Sequence, residues 1–484
     1  MNPFLHDAVI FAPELVLLIG ALGALIAGTY VPDGYGAAQR LSYLALAGAA
    51  GLLLWLPAGS EVSYGLNFAQ TSLTQFAKLW VVIGAAGALA LAHHALARIQ
   101  AQRFEFPVLV LLAALGMCVM ISARDLLSLY VGIELQSLPL YILAAFARQE
   151  ARSAEAGLKY FVLGALSSGL LLYGISLLYG ATGTIQYEPL TRFIASGAPS
   201  MAVTLAMIFI IAALAFKVSA APFHMWTPDV YQGAATPITA FFTTAPKVAG
   251  AVVILELLHG PLTGAGAVWE QILWAMAALS LIVGAFAALM QQDIKRLLAY
   301  STINHVGFLL IAILSGGLSG AAALLIYLAI YVIISLGAFG AILLLQQQGE
   351  AAVEINDLRG LGKRRPRIAI AFAVLIFAAA GVPPTAGFLG KMVVLLAAMQ
   401  AGYAWLAALG VITSVVAAFY YLRVVKIMYF DEAPNLIIPH IRMSRRLAAV
   451  VAITTFVTLG LILAPSALVA PATQAAQSFI VGAP

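Results

Sequence analysis

Charged side chains stand inside the long apolar stretches of this 484-residue chain. They are Glu134, Lys78, Lys159, Lys217, Lys247 and Lys391. Only 9% of the residues are charged and 63% are hydrophobic, and a charge at bilayer depth costs about 3 kcal/mol or more. Charges kept at that cost usually mark an ion pathway or a partner. The pattern therefore predicts movement of protons or cations through a membrane.

These residue types suit a proton relay. A lysine removed from water holds its proton less tightly, and a nearby carboxylate restores that affinity. If Glu134 pairs with Lys217, separating the two would release a proton, and such a pair has two discrete states. The rise of about 1.5 Å per helical residue places Glu134, Lys247 and His305 roughly 12–16 Å deep. Lys217 and Lys391 flank breaks in two helices, so we expect one row of groups in the membrane plane.

Structural roles compete with this interpretation. A basic side chain near a helix end usually extends to the lipid headgroups. We assign that role to Arg423 and Lys426 and favour it for Lys78, and it stays open for Lys159. A static salt bridge is the alternative for Glu134.

The elements that must position these side chains are membrane helices. A mean hydropathy of +1.02 excludes a soluble globular protein, and one crossing needs about 20 apolar residues. Backbone exposed to lipid must satisfy its own hydrogen bonds, so we predict an all-α polytopic membrane protein. The first stretch has no basic leader and is expected to be a retained helix. The fourteen candidate helices cover 11–31, 41–58, 73–97, 106–122, 126–147, 157–181, 201–228, 236–259, 267–290, 297–316, 319–346, 368–400, 402–428 and 446–470.

Two of these helices carry prolines in their middle. The seventh contains Pro222 and Pro228, and the twelfth contains Pro383 and Pro384. Proline removes a backbone donor, and such a break survives in a membrane only where protein or a cavity buries it. Broken helices at corresponding places in two halves are typical of inverted repeats. We therefore predict two inverted five-helix repeats with helices 7 and 12 broken.

The predicted division of the chain follows from these breaks. Its parts are three N-terminal helices (1–105), a first repeat of helices 4–8 (106–260), a second repeat of helices 9–13 (261–430), and a loop with the last helix (431–484).

Basic residues fix the predicted orientation. Only Arg124 and Arg192 lie in loops that follow even-numbered helices. By the positive-inside rule, the loops after odd-numbered helices are cytoplasmic and both termini are periplasmic. This rule also explains a pI near 9.2 without nucleic acid. The basic end of the loop 349–367 suits lipid headgroups or a neighbouring subunit. The basic residues of the cytoplasmic loops are Arg40, Arg98, Arg103, Arg148, Arg152, Lys295, Arg296, Arg359, Lys363, Arg364, Arg365, Arg367, Arg442, Arg445 and Arg446.

Cys118 is the single cysteine of the chain. One cysteine excludes an internal disulfide and a cysteine-ligated iron–sulfur cluster.

Two motifs resemble a known family. They are PFHMWTPDVYQGA (222–234), followed by Lys247, and DIKRLLAYSTINHVGF (293–308). Both are similar to the signatures of the antiporter-like subunits of respiratory complex I, and the resemblance covers nearly the whole chain. Lysine at position 391, where the subunit M type has glutamate, points to the subunit N branch of the bacterial NADH:quinone oxidoreductases. From its length, we expect no long C-terminal lateral helix of the subunit L type, which argues against that member.

The resemblance implies a proton-translocating membrane-arm subunit of a translocase, with no redox chemistry in this chain. It implies Glu134 and Lys217 as a coupled pair, Lys247 as the central relay lysine and Lys391 as the terminal group. The further family positions that match are Lys159, Lys295, His224 and His305.

The family also implies the surroundings of the chain. No cofactor is expected here, since NADH, FMN, iron–sulfur clusters and quinone belong to other subunits. The expected partners are subunit M, the small subunits K and J, the lateral helix of subunit L, and lipids in a bacterial inner membrane. No nucleic acid is expected.

The residues alone are compatible with three other functions. The same signatures occur in subunits of multisubunit cation/proton antiporters and membrane hydrogenases. A stand-alone solute carrier is a second alternative, and a scaffold with an inactive channel is a third.

Overall fold

The structure, a computed structural model, describes residues 3–56, 61–63, 67–197, 199–347, 353–432 and 444–481. Arg442, which was counted among the basic loop residues, lies outside them. A small antiparallel pair of strands, β1 (Glu61–Ser63) and β2 (Phe68–Gln70), is the only sheet in the described part. The N-terminal helices are α1 (Pro3–Ile10), α2 (Ala12–Tyr30), α3 (Gly34–Trp55) and α4 (Ser72–Arg98).

The next helices lie in the part of the chain predicted as the first repeat. They are α5 (Glu105–Ser122), α6 (Leu126–Ala144), α7 (Ala151–Thr182), α8 (Tyr187–Ala195), α9 (Met201–Val218), α10 (Trp226–Gly233), α11 (Thr236–Thr243) and α12 (Ala245–His259).

The remaining helices lie in the parts of the chain predicted as the second repeat and the C-terminal region. They are α13 (Gly266–Leu289), α14 (Ile294–Ser315), α15 (Gly317–Gln347), α16 (Leu361–Arg364), α17 (Pro366–Ala380), α18 (Ala386–Gln400), α19 (Ala404–Phe430), α20 (Arg445–Leu463) and α21 (Ser466–Val481). Short 3-10 turns lie at Thr263–Ala265 and Ile355–Leu358.

The predicted fold class is confirmed. Within the described ranges, 13 helices are long and apolar enough to cross a membrane, with α11 and α12 counted as one. The shorter α17 and α18 together supply the twelfth crossing, which gives the predicted fourteen. Two inverted five-helix repeats follow one another, and helices 7 (α9 and α10) and 12 (α17 and α18) are broken as expected.

Both breaks begin in the same way. The first half-helix ends before a residue in the left-handed region, Ser219 at φ +69° in one repeat and Gly381 at φ +84° in the other. A proline follows three residues later in each case, Pro222 and Pro384, and both are cis. Proline cannot donate to the helical ladder, so the chain restarts its helix further on.

Helix 8 carries a break that the sequence analysis missed. The crossing predicted as one helix over 236–259 divides at Thr244, between α11 and α12. Pro246, in the first turn of α12, has no N–H to continue the ladder of α11. The Thr243 and Thr244 hydroxyls bond to carbonyls of their own preceding turn at 2.8 and 2.9 Å. Lys247 comes directly after this break.

The C-terminal end also differs from the prediction. The last crossing, expected over 446–470, ends at Leu463, and α21 follows as a separate helix beyond Pro465. Helix α21 packs against α4 and α15, and Ser478 accepts a hydrogen bond from the Leu73 backbone N–H at 3.1 Å.

Two ends of the bundle can be named by their loops. The basic face is the end with the loops around Arg148, Arg296 and Arg359, where a bridge joins Asp293 to Glu354. The opposite face is the other end, where β2 pairs with the α5–α6 link at Phe68 and Ala123.

Candidate functional site

Lys217 lies in a pocket of hydroxyl groups at the end of α9. Its side chain is buried, and its Nζ donates to Ser137 Oγ at 2.8 Å and to the Tyr141 hydroxyl at 3.3 Å. The Ser168 hydroxyl lies 3.5 Å from the same nitrogen. Ser137 and Tyr141 both come from α6, which therefore lines one side of the lysine.

Glu134 reaches this pocket through a serine. Ser168 of α7 donates a short hydrogen bond to Glu134 Oε1 and also contacts Lys217. Ser168 thus stands between the carboxylate and the lysine, in place of the direct contact that the sequence suggested. Glu134, Ser137 and Tyr141 have the i, i+3, i+7 spacing of one helix face. The result is a chain of polar groups from Glu134 to Lys217 that can pass a proton.

Lys247 is fully buried and binds to the break in helix 7. Its Nζ donates to Ser219 Oγ at 2.6 Å and lies 5.1 Å from the centre of the Trp226 ring. Trp226 is fixed by a hydrogen bond to the Phe216 carbonyl at 3.0 Å. The break thus has Lys217 just before it, and its first residue, Ser219, binds Lys247.

Lys391 occupies the break in helix 12. Its Nζ donates to the Ala380 carbonyl, the last of α17, at 2.9 Å and to Ser414 Oγ at 3.2 Å. Carbonyls at a helix end lack partners within the helix, and here a buried lysine supplies one. The Phe308 ring lies 5.0 Å from the same nitrogen, a cation–π contact.

His305 extends the polar set along α14. Its Nδ1 lies 2.6 Å from the Tyr327 hydroxyl of α15, and its ring lies 5.2 Å from the Tyr331 ring. Tyr331 in turn donates to Thr302 at 3.0 Å. Phe308, which contacts Lys391, is three residues after His305 and shares its helix face.

Three other residues predicted for the relay lie outside this buried set. Lys159 is 42% exposed and forms ion pairs with Glu155 at 2.8 Å and with Asp229 at 2.7 Å. Lys295 donates to the Ala234 carbonyl at the end of α10, at 2.8 Å. It lines a cavity of about 770 Å³ that opens at the basic face.

His224 lies within the break of helix 7. Its side chain is half-buried, and its Nδ1 has no hydrogen-bond partner among the described residues.

Lys78 corrects an interpretation from the sequence. It does not extend to the headgroups: its side chain is fully buried and forms an ion pair with Glu14 at 2.6 Å. Gln70 Oε1 accepts a second bond from Nζ at 2.6 Å, and the Phe68 ring lies 4.8 Å away. The lysine is only six residues into α4, but α2 and β2 cover it.

Several hydrogen-bond partners of these side chains were not predicted because they are common hydroxyl residues. The partners that it did not name are Ser137, Tyr141, Ser168, Ser219, Thr302, Tyr327, Tyr331 and Ser414. The one available signal in the sequence was the spacing of Ser137 and Tyr141 from Glu134, which places all three on one helix face.

Comparisons with known proteins place this geometry in a family. The profile of the family described as "NADH:quinone oxidoreductase/Mrp antiporter, TM" matches residues 123–417. A relative from Parvibaculum lavamentivorans named NADH-quinone oxidoreductase subunit N is 46% identical over 470 residues, which is 97% of each chain.

Solved structures agree in fold. A chain of respiratory complex I from Thermus thermophilus is similar with a TM-score of 0.80 and 34% identity, over 95% of this chain and 98% of the other. A chain of an archaeal membrane-bound sulfane sulfur reductase gives a TM-score of 0.86 at 25% identity, over 98% of each chain. The chain therefore belongs to the NADH:quinone oxidoreductase/Mrp antiporter family of membrane proteins.

Proposed function

We propose that this chain is the subunit N of a bacterial NADH:quinone oxidoreductase and moves protons through its buried row of Glu134, Lys217, Lys247, His305 and Lys391. The relatives that match nearly its whole length carry that subunit name. The observation that carries the relay is that each of the three deep lysines lies beside or just after a helix break and donates to a serine hydroxyl.

The row suits transfer because its partners both donate and accept protons. A serine or tyrosine hydroxyl can receive a hydrogen bond from a lysine and give one to a carboxylate. Ser168 does both between Lys217 and Glu134. A small movement of α7 or of the helix 7 break would break these contacts and change the proton affinity of the lysines.

The breaks give the row its mobility. Ser219, the first residue of the helix 7 break, binds Lys247, so a shift of the break moves the partner of that lysine. Lys391 binds the last carbonyl of α17 at the other break. A change at either break would therefore reach a lysine directly.

The proposal extends to the surroundings of the chain. Electron transfer from NADH through FMN and iron–sulfur clusters to quinone would occur in other subunits, and this chain would bind none of these groups. Its partners would be subunits M, K and J and the lateral helix of subunit L. The basic face would be cytoplasmic in a bacterial inner membrane, and both termini periplasmic.

Replacing Lys217 or Lys247 by methionine tests the proposal. Methionine keeps the length and apolar stem of lysine but carries no proton. We expect complexes that assemble with either variant to lose NADH-driven proton uptake and coupled NADH oxidation. Full uptake by an assembled variant would leave only a scaffold function.

A second candidate is a subunit of a multisubunit cation/proton antiporter, because the matching family profile includes Mrp antiporters. Purification of the tagged chain in mild detergent separates the two. Iron–sulfur and flavin subunits in the purified complex support the proposed function, and an antiporter complex without redox groups would contradict it.

A further inference from the structure

A buried charge pair lies among the N-terminal helices, before the two predicted repeats. Glu14 of α2 and Lys78 of α4 are 2.6 Å apart, and both side chains are 0% exposed. Gln70 of β2 accepts from Lys78 at 2.6 Å. Burial costs each ion several kcal/mol, and apolar side chains of similar volume often stabilise a buried contact at least as well as an ion pair. Helix packing alone therefore does not account for the pair.

Unpartnered polar atoms belong to the pair and to its neighbour Gln70, and another lies next to the residue that pairs with β2. Glu14 Oε2, Gln70 Nε2 and Ser122 Oγ are buried and have no hydrogen-bond partner among the described residues. Buried polar groups are nearly always hydrogen-bonded, by protein or by ordered water. Ser122 precedes Ala123, whose backbone pairs with Phe68 of β2. The atoms thus mark a place that suits ordered water beside the pair.

The position of the pair relates it to the relay. Lys78 is six residues into α4 from the opposite face, about 9 Å along the helix. Helix α4 packs on α12, which carries Lys247 near its start and Glu256 near its end. Glu256 forms an ion pair with Arg124 at 3.3 Å, and the Arg124 side chain is 24% exposed. Glu256 and Arg124 therefore place further charged groups between the level of Lys247 and the opposite face.

We propose that the Glu14–Lys78 pair is a proton-exchange site between the buried row and water at the opposite face. An N–H bond of the Lys78 ammonium breaks as an O–H bond forms on the Glu14 carboxylate, which leaves a neutral amine and a neutral carboxylic acid. The acid then releases its proton to water, and the amine takes up a proton that arrives from the row. The inference rests on the proposed function.

Two variants distinguish this function from a structural one. Lys78→Arg keeps the positive charge and can pair with Glu14, but an arginine does not release its proton in proteins. Glu14→Gln with Lys78→Met removes both charges and leaves similar shapes. We expect assembled complexes with either change to lose NADH-driven proton uptake and coupled NADH oxidation in membrane vesicles.

The matched control is Glu188→Gln with Arg192→Met, which removes an ion pair whose side chains are 52% and 72% exposed. The control is expected to keep wild-type uptake. Wild-type uptake in an assembled Lys78→Arg or Glu14→Gln/Lys78→Met complex would overturn the inference. Failure of both to assemble would also overturn it, because the pair would then serve assembly.

Lys247→Met separates this inference from the proposed function. If that variant loses uptake while the Glu14 and Lys78 variants keep it, only the inference fails. If Lys247→Met itself keeps full uptake, the proposed function fails.

Discussion

Replacing Ser219 by glycine removes one hydroxyl from the proposed relay without straining the backbone conformation at that position. Ser219 Oγ accepts a hydrogen bond from the fully buried Lys247 at 2.6 Å, and its φ is +69°. A side chain at positive φ costs about 1–2 kcal/mol, which glycine avoids. The change therefore adds no backbone strain at the break, and its effect on activity reports the loss of the hydroxyl.

The expected loss of coupled turnover follows from the hydrogen bond between Ser219 and Lys247. A hydrogen bond to a charged group contributes about 1.5–3 kcal/mol when it is buried. At about 1.4 kcal/mol per factor of ten, its loss lowers the ratio of protonated to neutral Lys247 by about 10- to 140-fold. We therefore expect coupled turnover in Ser219→Gly to fall about tenfold or more.

The assay uses inverted membrane vesicles that oxidise NADH, with a pH-sensitive dye for proton uptake and absorbance for NADH. Rates are divided by the amount of assembled complex on a native gel. Ser219→Asn is the companion variant, because asparagine tolerates positive φ and keeps a polar group. Wild-type rates in assembled Ser219→Gly would refute the function of this hydroxyl.

Two further predictions use neighbouring residues as controls. Ser168→Ala removes the hydroxyl between the carboxylate and the lysine of the first repeat, so proton uptake should fall, whereas Ser167→Ala removes only a bond to a backbone carbonyl and should keep it. Equal rates in the two variants would contradict the bridge. Gly381→Ala places a Cβ 2.7 Å from Lys391 Cδ, while Gly402→Ala has a similar φ of +86° and open space. Native gels and NADH-driven uptake should show a larger loss for Gly381→Ala, and equal losses would mean that backbone strain alone matters.

The sequence predicted the helices and two of the three breaks. Pro222 and Pro384 lie in the middle of long apolar stretches, where a proline can only interrupt the ladder. The break at Thr244 was missed because Pro246 lies in the first turn of α12, where proline is well tolerated. A proline that starts a helix and one that ends the preceding helix look alike in a sequence.

The deep lysines could be predicted because their cost is visible in the sequence alone. Lys217, Lys247 and Lys391 stand in stretches too apolar to keep a charge without a function. Their hydroxyl partners could not be predicted, because serine is common on membrane helices and its partner depends on how the helices pack. Ser219 can be identified as the partner of Lys247 only from the structure, in which the break packs against α12.

Lys78 shows the limit of depth arguments. Its place near the start of α4 predicted contact with headgroups. That prediction failed because depth along one helix gives no information about the neighbouring elements. In the structure α2 and β2 cover it, and Glu14 supplies the counter-charge. Only tertiary packing distinguishes a covered lysine from an exposed one at the same depth.

The most direct test is proton uptake by liposomes that contain the purified complex with Lys247→Met. The control is Lys426→Met, which alters a lysine whose side chain is 64% exposed and pairs with Asp431. The buried row predicts that Lys247→Met abolishes NADH-driven uptake while Lys426→Met keeps it. Equal uptake by the two assembled variants would contradict proton transfer through this chain.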